Sequence, residues 1–512
     1  MPMSPTLIIG SGIGGLVAGA LLARYGHRVI ICESHSVAGG AAHEFSRGGF
    51  RFDSGPSFYC GLSDRGSLNP LRQVLDVLEE SVDAIAYDPL GHYHFPEGTL
   101  PIYGDVERYR NAIAQFTPTG AAELKGLEAK LLNLYDGLKD IPTLALRADL
   151  GLIPTLLRRY GWPLLKLLPK TRALQGSVGD LMDQTVQDPF VRRLIDLECF
   201  LLSGLDAHGT VAPEVAFMFG ERTHSVIDYP VEGSGAIVDA LVRGLKKYGG
   251  ELRLNAHVDK ILVSQGQAVG VRLKTGEVID AARVISNATV WDTFTHLLAP
   301  EDLPQPYRQQ LLQTQAVDSF MHLHLGIRAE GLDDLTIHHV VVHQSERDIT
   351  APGNTCMISI PSVLAPNLAP AGHHVIHAYT LEPWEGWQRD EGYAERKQVR
   401  AEPLYQAIEK VIPDLRDRIV VNLIGTPLTH QRYLRRYQGT YGPAIPAGEG
   451  MFPSCHTPIR GLYRVGDSTI PGIGVPAVAA SGILCANTLV SSSQTAVLLD
   501  KLASRVGAEA SD

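Results

Sequence analysis

The chain has no basic excess, no paired cysteines and no long apolar run, and each absence removes a class of function. Its formal net charge is -10. It therefore lacks the cationic surplus that neutralises phosphates, which argues against a general nucleic-acid binder. The six cysteines (Cys32, Cys60, Cys199, Cys356, Cys455 and Cys485) contain no CxxC pair. That scatter argues against a zinc ribbon and fits reduced thiols in a cytosol-like compartment. No stretch approaches the about 18 consecutive apolar residues of a bilayer-spanning helix. No charged and then apolar leader precedes the first strand, so no signal peptide is expected. These features predict a protein on the cytoplasmic side, soluble or peripheral to a membrane. Internal repeats and low-complexity blocks are also missing, and Ser504 to Asp512 reads as a frayed tail.

What is present is an ordinary folded composition, 45% hydrophobic and 20% charged, in 512 residues. That length is too great for one simple core and predicts two domains. The first 33 residues are the most informative. Thr6 to Ile9 reads as a buried parallel strand, and Gly10-Ser11-Gly12-Ile13-Gly14-Gly15 follows it. Gly10 suits the tight turn, Gly12 lets backbone approach a pyrophosphate, and Gly15 lets helix and strand pack closely. A helix to about Tyr25 would hold the pyrophosphate on its N-terminal N–H groups, Ile13 and Gly14 included. His27 to Cys32 forms the next strand and delivers Glu33 where a ribose hydroxyl needs a carboxylate.

Further elements point to FAD rather than NAD. Ala38-Gly39-Gly40-Ala41-Ala42 and Arg47-Gly48-Gly49 are glycine-rich loops that let backbone close on a ligand, and Arg47 suits a phosphate. Late in the chain a strand delivers Gly466-Asp467, an acceptor for a ribityl or ribose hydroxyl. Gly474-Val475 then opens a small-residue helix whose N-terminus suits the electron-rich side of a reduced flavin ring. A nicotinamide dehydrogenase has no need of the Gly466-Asp467 element.

The predicted fold class is α/β: a discontinuous Rossmann-type FAD-binding domain (1–75, 228–298 and 456–512) with a mixed α+β substrate domain (76–227 and 299–455). In the middle of the chain Ala236 to Tyr248 has helical spacing. Short β-rich segments follow at Glu251 to Asn255, Val258 to Ser264, Ala268 to Leu273 and Val278 to Ile285, with turns at Gln265-Gly266 and Thr275-Gly276.

With these residues assembled, the chain resembles the phytoene desaturase-type flavoproteins, and within them the carotenoid cis-trans isomerases of the prolycopene isomerase type. The resemblance covers nearly the whole chain. It rests on Ser63-Asp64-Arg65-Gly66-Ser67-Leu68-Asn69, Tyr229-Pro230-Val231-Glu232-Gly233-Ser234-Gly235, Ser286-Asn287-Ala288-Thr289 and Gly439-Thr440-Tyr441-Gly442-Pro443, besides the cofactor motifs. It implies FAD held by Gly10, Gly12, Gly15, Glu33, Gly39, Gly40, Val258 and Asp467, with Asn287 in a matching segment. It also implies a hydrophobic polyene substrate whose cis-trans isomerisation uses reduced flavin without net redox change; the electron donor or acceptor is unknown. Val475 to Gly482 is closer to the general desaturase and saturase pattern, so an FAD-dependent desaturase or saturase is the alternative. A non-catalytic prenyl-lipid carrier, like the Rab GDP-dissociation inhibitors, is disfavoured by the intact Gly10, Gly12, Gly15 and Glu33 set.

An insoluble polyene must be drawn from a membrane. Gly151 to Gly179 carries Arg158, Arg159, Lys166, Lys170 and Arg172, with no acidic residue, among Leu152, Leu156, Leu157, Trp162 and Leu165. Apolar burial beside basic charge is what an interfacial anchor needs. The alternative is a pair of ordinary helices with breaks at Pro154, Pro163 and Pro169. No catalytic acid or base declares itself. Glu232 and His43 are candidates by their loops, and His208, His224 and His430 stay unassigned. His92 and His94 share a strand face without a visible third ligand, so no metal site is expected.

Overall fold

The computed structural model describes residues 4–64, 66–170 and 174–509. Arg65, Arg172 and the last three residues of the expected tail lie outside them. Thr6–Ile9 and Val29–Cys32 are runs of four residues buried at every position, the pattern of parallel strands covered on both faces. They sit at the centre of a five-stranded parallel sheet. Its order is Glu251–Arg253, Val29–Cys32, Thr6–Ile9, Arg283–Ser286, Leu462–Arg464. Strands from both ends and the middle of the sequence thus lie side by side. Helix Ile13–Arg24 buries eleven of its twelve residues, and Gly235–Lys247 and Val475–Thr488 pack against it. Gly482 permits the second packing: a Cβ there would come 2.7 Å from the Gly14 carbonyl oxygen.

Two expectations need correction here. Val278 to Ile285 is not one strand. Val278–Asp280 closes an antiparallel sheet with Val258–Ser264 and Gln267–Leu273, whereas Arg283–Ser286 joins the parallel sheet. The chain changes sheets at Ala281-Ala282, whose amides donate to Val269 O and Pro5 O respectively. The C-terminal segment does not fray at Ser504, because the helix Ser492–Glu509 runs through it. That helix buries Leu498 and Leu499 in the main core.

A second, seven-stranded sheet is built from residues 91–102 and 319–425. Its order is Ile419–Gly425, Ser319–Arg328, His373–Glu382, Thr355–Ser359, His338–Val342, Gly91–Phe95, Gly98–Ile102. The pairing is antiparallel except between His338–Val342 and Gly91–Phe95. Helices at 118–138, 189–203 and 212–224 cover one flank and share a core with it. The basic stretch forms a helix, Leu152–Leu167, broken at Tyr160 (φ -129°, ψ 27°) three residues before Pro163. Pro163 has no N–H for the preceding turn, and its ring collides there. Among the described residues, no helix is long and apolar enough to cross a membrane.

Candidate active site

Between the two sheets lies a cavity of about 1320 Å³, larger than a small-ligand pocket of roughly 300–1,000 Å³. At one end Glu33 leaves its strand buried. One carboxylate oxygen accepts from Ser11 N (2.8 Å) and Ser11 Oγ (2.7 Å), and the other from His35 N (2.8 Å) and Ser34 Oγ (3.3 Å). Glu33 therefore ties the glycine loop to the second strand as well as lining the cavity beside Val258.

The glycine loop comes next. Gly10 takes a left-handed φ of +89°, and a Cβ on Gly15 would sit 2.3 Å from the Gly10 carbonyl oxygen. Either side chain would break the turn. Asn287 presses against this loop from the fourth strand: Cβ atoms at Gly12 and Gly14 would lie 2.8 Å from its Nδ2 and 3.0 Å from its Oδ1. The first helical turn has Gly12 as N-cap, no side-chain cap and no acidic residue. Its unpaired N–H groups and positive dipole end face the cavity, where a diphosphate suits them.

Gly39, Gly40 and His43 line the middle of the cavity. His43 Nδ1 lies 2.7 Å from Gly40 O and 2.9 Å from Ser54 Oγ, and burial pushes its pKa down. It is a neutral, hydrogen-bonded ring within the wall. Farther along, Gly466 N donates to Ser481 Oγ (2.8 Å), and Asp467 Oδ2 pairs with Arg436 Nη2 at 2.5 Å. Arg436 has no signal in the sequence, because only folding brings residue 436 to 467. Gly474 and Val475 begin a helix that also lacks a side-chain cap. The far end of the cavity is apolar, with Phe200, Leu201, Leu202, Phe217, Met218 and Leu381.

The structure thus brings Gly10, Gly12, Ile13, Gly14, Glu33, Gly39, Gly40, Val258, Asn287, Gly466, Asp467, Gly474 and Val475 into the lining of one cavity, with Gly15 packed behind Gly10. Two expected residues are elsewhere. Arg47 is at the exposed end of the hairpin Glu44–Arg47/Phe50–Asp53, paired with Phe50 across the Gly48-Gly49 turn, and does not line the cavity. Glu232 is also on the surface, its side chain 64% exposed, bound to Arg51 (3.3 Å) and Asn367 (2.7 Å). Neither can touch a ligand in this cavity.

Other residues come into view only in three dimensions. Glu214 faces the apolar end without a hydrogen bond to any described side chain, and burial pushes its pKa up to about 7. His322 and His430 line the cavity beside Tyr379, with His324 and His377 behind them. Of the remaining histidines, His208 pairs with Asp183 (3.1 Å) and His224 stacks on Tyr135. His94 Nε2 meets a third histidine, His339 Nδ1, at 3.1 Å, and His92 bonds Thr336; this group lies away from the cavity.

The donor set fits a flavin dinucleotide: backbone N–H groups at the diphosphate position, a strand-end acid on each side of it, and a second helix N-terminus beyond. Comparison with known proteins agrees. Residues 13–490 match the family model described as flavin containing amine oxidoreductase. The chain is 36% identical over 490 residues to prolycopene isomerase 1 of an Oncidium hybrid cultivar, covering 94% of this chain and 83% of that protein. It is 27% identical to the neurosporene-forming phytoene desaturase of Rhodobacter capsulatus, covering 95% and 94%. An oxidoreductase structure from Methanosarcina mazei superposes with a TM-score of 0.61 at 18% identity, over 93% of this chain and 98% of that one, a likeness of fold. This chain belongs to the flavin-containing amine oxidoreductase family.

Proposed function

We propose that the protein is an FAD-dependent enzyme that isomerises double bonds of a carotenoid polyene with no net redox change. Several relatives are prolycopene isomerases at 34–36% identity over 94% of the chain. The observation that carries the reading is the continuity of the cavity. One space joins the glycine loop at Gly10–Gly14 to the apolar end at Phe200, Phe217 and Met218, so an apolar chain there can lie against a cofactor held by the loop.

In this reading the Ile13 and Gly14 N–H groups hold the diphosphate, Glu33 and Val258 the adenosine end, and Asp467 a hydroxyl of the ribityl chain. Gly39, Gly40, Gly474 and Val475 close backbone on the ring system, and Asn287 and Gly466 brace the loop. The flavin, when bound, supplies the electron density that weakens a double bond. The rest falls to the chain. The helix beginning at Val475 places its positive dipole end where a negative ring would be stabilised. Phe200, Leu201, Leu202, Phe217 and Met218 exclude water and favour an apolar substrate over a charged amine. The segments 1–75, 228–298 and 456–512 form the cofactor domain, and 76–227 and 299–455 the substrate domain.

Helix Leu152–Leu167 serves as the membrane contact. Ile153, Leu157, Trp162 and Leu165 are 58%, 63%, 71% and 56% exposed, an unusual density of large apolar side chains on one helix. Exposed Arg158 stands among them; Arg159 and Lys166 are tied to Asp500 and Asp140.

The test is an anaerobic assay with poly-cis lycopene in liposomes, comparing reduced with oxidised enzyme. A product of unchanged mass and altered geometry, formed only with reduced flavin, supports isomerisation. A mass change of two hydrogens would instead assign desaturation or saturation, and inertness in both states would refute the polyene reading.

A further inference from the structure

Five histidines stand in the sheet face and helix beside the cavity, with His322, His324 and His377 buried and His338 and His430 partly so, more than the proposed reaction uses. Three of them form a chain. His430 Nε2 lies 2.6 Å from His322 Nε2, and His322 Nδ1 lies 2.7 Å from His377 Nε2. The His322 and His377 planes differ by 6° with centroids 5.0 Å apart. At that separation, rings joined by a 2.7 Å N···N contact lie edge to edge, with the proton in the ring plane. His324 stands parallel to both, within 3° and 5°, and its Nε2 meets Asp53 O at 3.1 Å. Across the next strands, register places Ser359 beside His377 and His338 beside Ser359, and His338 Nδ1 bonds Ser359 Oγ (3.1 Å).

The middle ring is the unusual one. A neutral imidazole has one donor and one acceptor nitrogen, whereas an imidazolium has two donors. His322 has an imidazole nitrogen opposite each of its own, so a protonated His322 would have both N–H groups accepted. A neutral His322 can also meet both contacts, donating along one and accepting along the other, and the buried His377 Nδ1 has no partner among the described residues in either state. The arrangement therefore solvates a cation at His322 while burial and the neighbouring rings hold the group neutral. The facing groups supply no compensating acid. From the strands these are His324, His377 and Tyr379, and from the helix His430. Arg436 is already paired with Asp467, and His43 follows the Gly40–Ala42 turn. Asp53 is engaged by the Tyr229 and Ser234 hydroxyls. What would tip the balance is a negative charge arriving in the cavity that His322 and His430 line.

We propose that His322, held between His430 and His377, is the switchable counter-charge to the flavin: it takes up one proton when the cofactor gains two electrons and returns it when they leave. The inference rests on FAD occupying this cavity. Two electrons and one proton from an external reductant and water give the anionic reduced ring, and a second proton goes to His322. His322 and His430 both line the cavity, so that proton can come from it directly. A three-histidine metal site is the competing use of the cluster, since His322, His324 and His377 each offer a nitrogen within 4.8 Å of the others. The pairing argues against it: His322 directs its two nitrogens to different partners, His430 and His377, which leaves neither free for an ion.

The experiment is the midpoint potential of the bound flavin as a function of pH, above neutrality, in the wild-type holoenzyme and in His322→Gln and His430→Asn. The wild type should show a slope near that of two protons per two electrons, and the variants, still holding flavin, about half of it. Two variants are used because either alone can fail to fold. Equal slopes in wild type and a flavin-replete variant would overturn the proposal. So would stoichiometric transition metal in the purified wild type that His324→Ala removes. Wild-type protein that binds no flavin at all would overturn the FAD reading itself, a result distinct from a flat comparison of slopes.

Discussion

Replacing Ile153, Leu157 and Leu165 by serine should release the protein from membranes without unfolding it. These side chains are 58%, 63% and 56% exposed, so their removal costs the core almost nothing. Fully burying an aliphatic side chain of this size is worth roughly 1.5–3 kcal/mol. Scaled by their exposed fraction, the three together would contribute about 3 kcal/mol or somewhat more on entering lipid. At 1.4 kcal/mol per decade, vesicle partition should fall by about a hundredfold. Flotation with liposomes of graded anionic lipid content measures this directly. Charge reversal of Arg158 should add a smaller loss, about 1 kcal/mol, seen only on anionic vesicles and screened by salt. The triple variant should keep wild-type thermal stability and flavin content, and its turnover should fall with liposome-borne substrate but not with detergent-solubilised substrate. Wild-type flotation by the triple variant would refute the docking face.

Gly15→Ala should abolish flavin binding or soluble expression, because its Cβ would stand 2.3 Å from the Gly10 carbonyl oxygen; flavin absorbance per chain reads this. Asp467→Ala should reduce flavin occupancy and leave Arg436 without its carboxylate but still donating to Thr440 O and Tyr441 O, so adding Arg436→Ala should lower Tm further, with the pair's coupling read from a double-mutant cycle. Burial holds His430 at a pKa of about 3 and His324 at about 4. The unfolded chain binds these protons first, so the stability is present above the ordinary histidine value of about 6.5 and is lost as pH falls toward 4, at up to about 1.4 kcal/mol per pH unit for each ring. Tm should accordingly fall between pH 7 and 5, and less steeply in His430→Asn. Glu214 acts in the opposite sense. Its raised pKa of about 7 means that stability is full below the ordinary glutamate range and is lost as pH rises through 7, so Glu214→Gln should remove that decline.

The glycine-loop part of the cavity was legible because it is local: a strand, three glycines, a helix and an acid lie within the first 33 residues, and each constrains the next. Helix ends at Arg24 and Lys247 and the hairpin turn at Gln265-Gly266 were legible for the same reason. Arg47 and Glu232 misled because loop proximity in sequence carries no information on which side of a hairpin faces a ligand. The histidine chain was invisible for a different reason. His322, His324 and His377 alternate along strands as core residues do, and their meeting depends on the register of 319–328 against 373–382. The Arg436–Asp467 pair likewise needs the finished fold. The division of Val278 to Ile285 between two sheets turns on amide bonds from Ala281 and Ala282 to distant carbonyls, which no period of two reveals.

The interleaved order of the parallel sheet sets a timetable for biosynthesis. The central strand, Thr6–Ile9, is among the first segments synthesised. One of its neighbours, Arg283–Ser286, emerges only after more than half the chain, and the edge strand Leu462–Arg464 nearly at the end. The glycine loop gains its lid, through Gly482 against the Gly14 carbonyl, later still. The nascent N-terminal half must therefore wait with its apolar strand edges unpaired, exposed to aggregation and in need of a chaperone's protection. Cofactor capture becomes the closing event of folding, and chains truncated before the last helices should be cleared as apoprotein fragments.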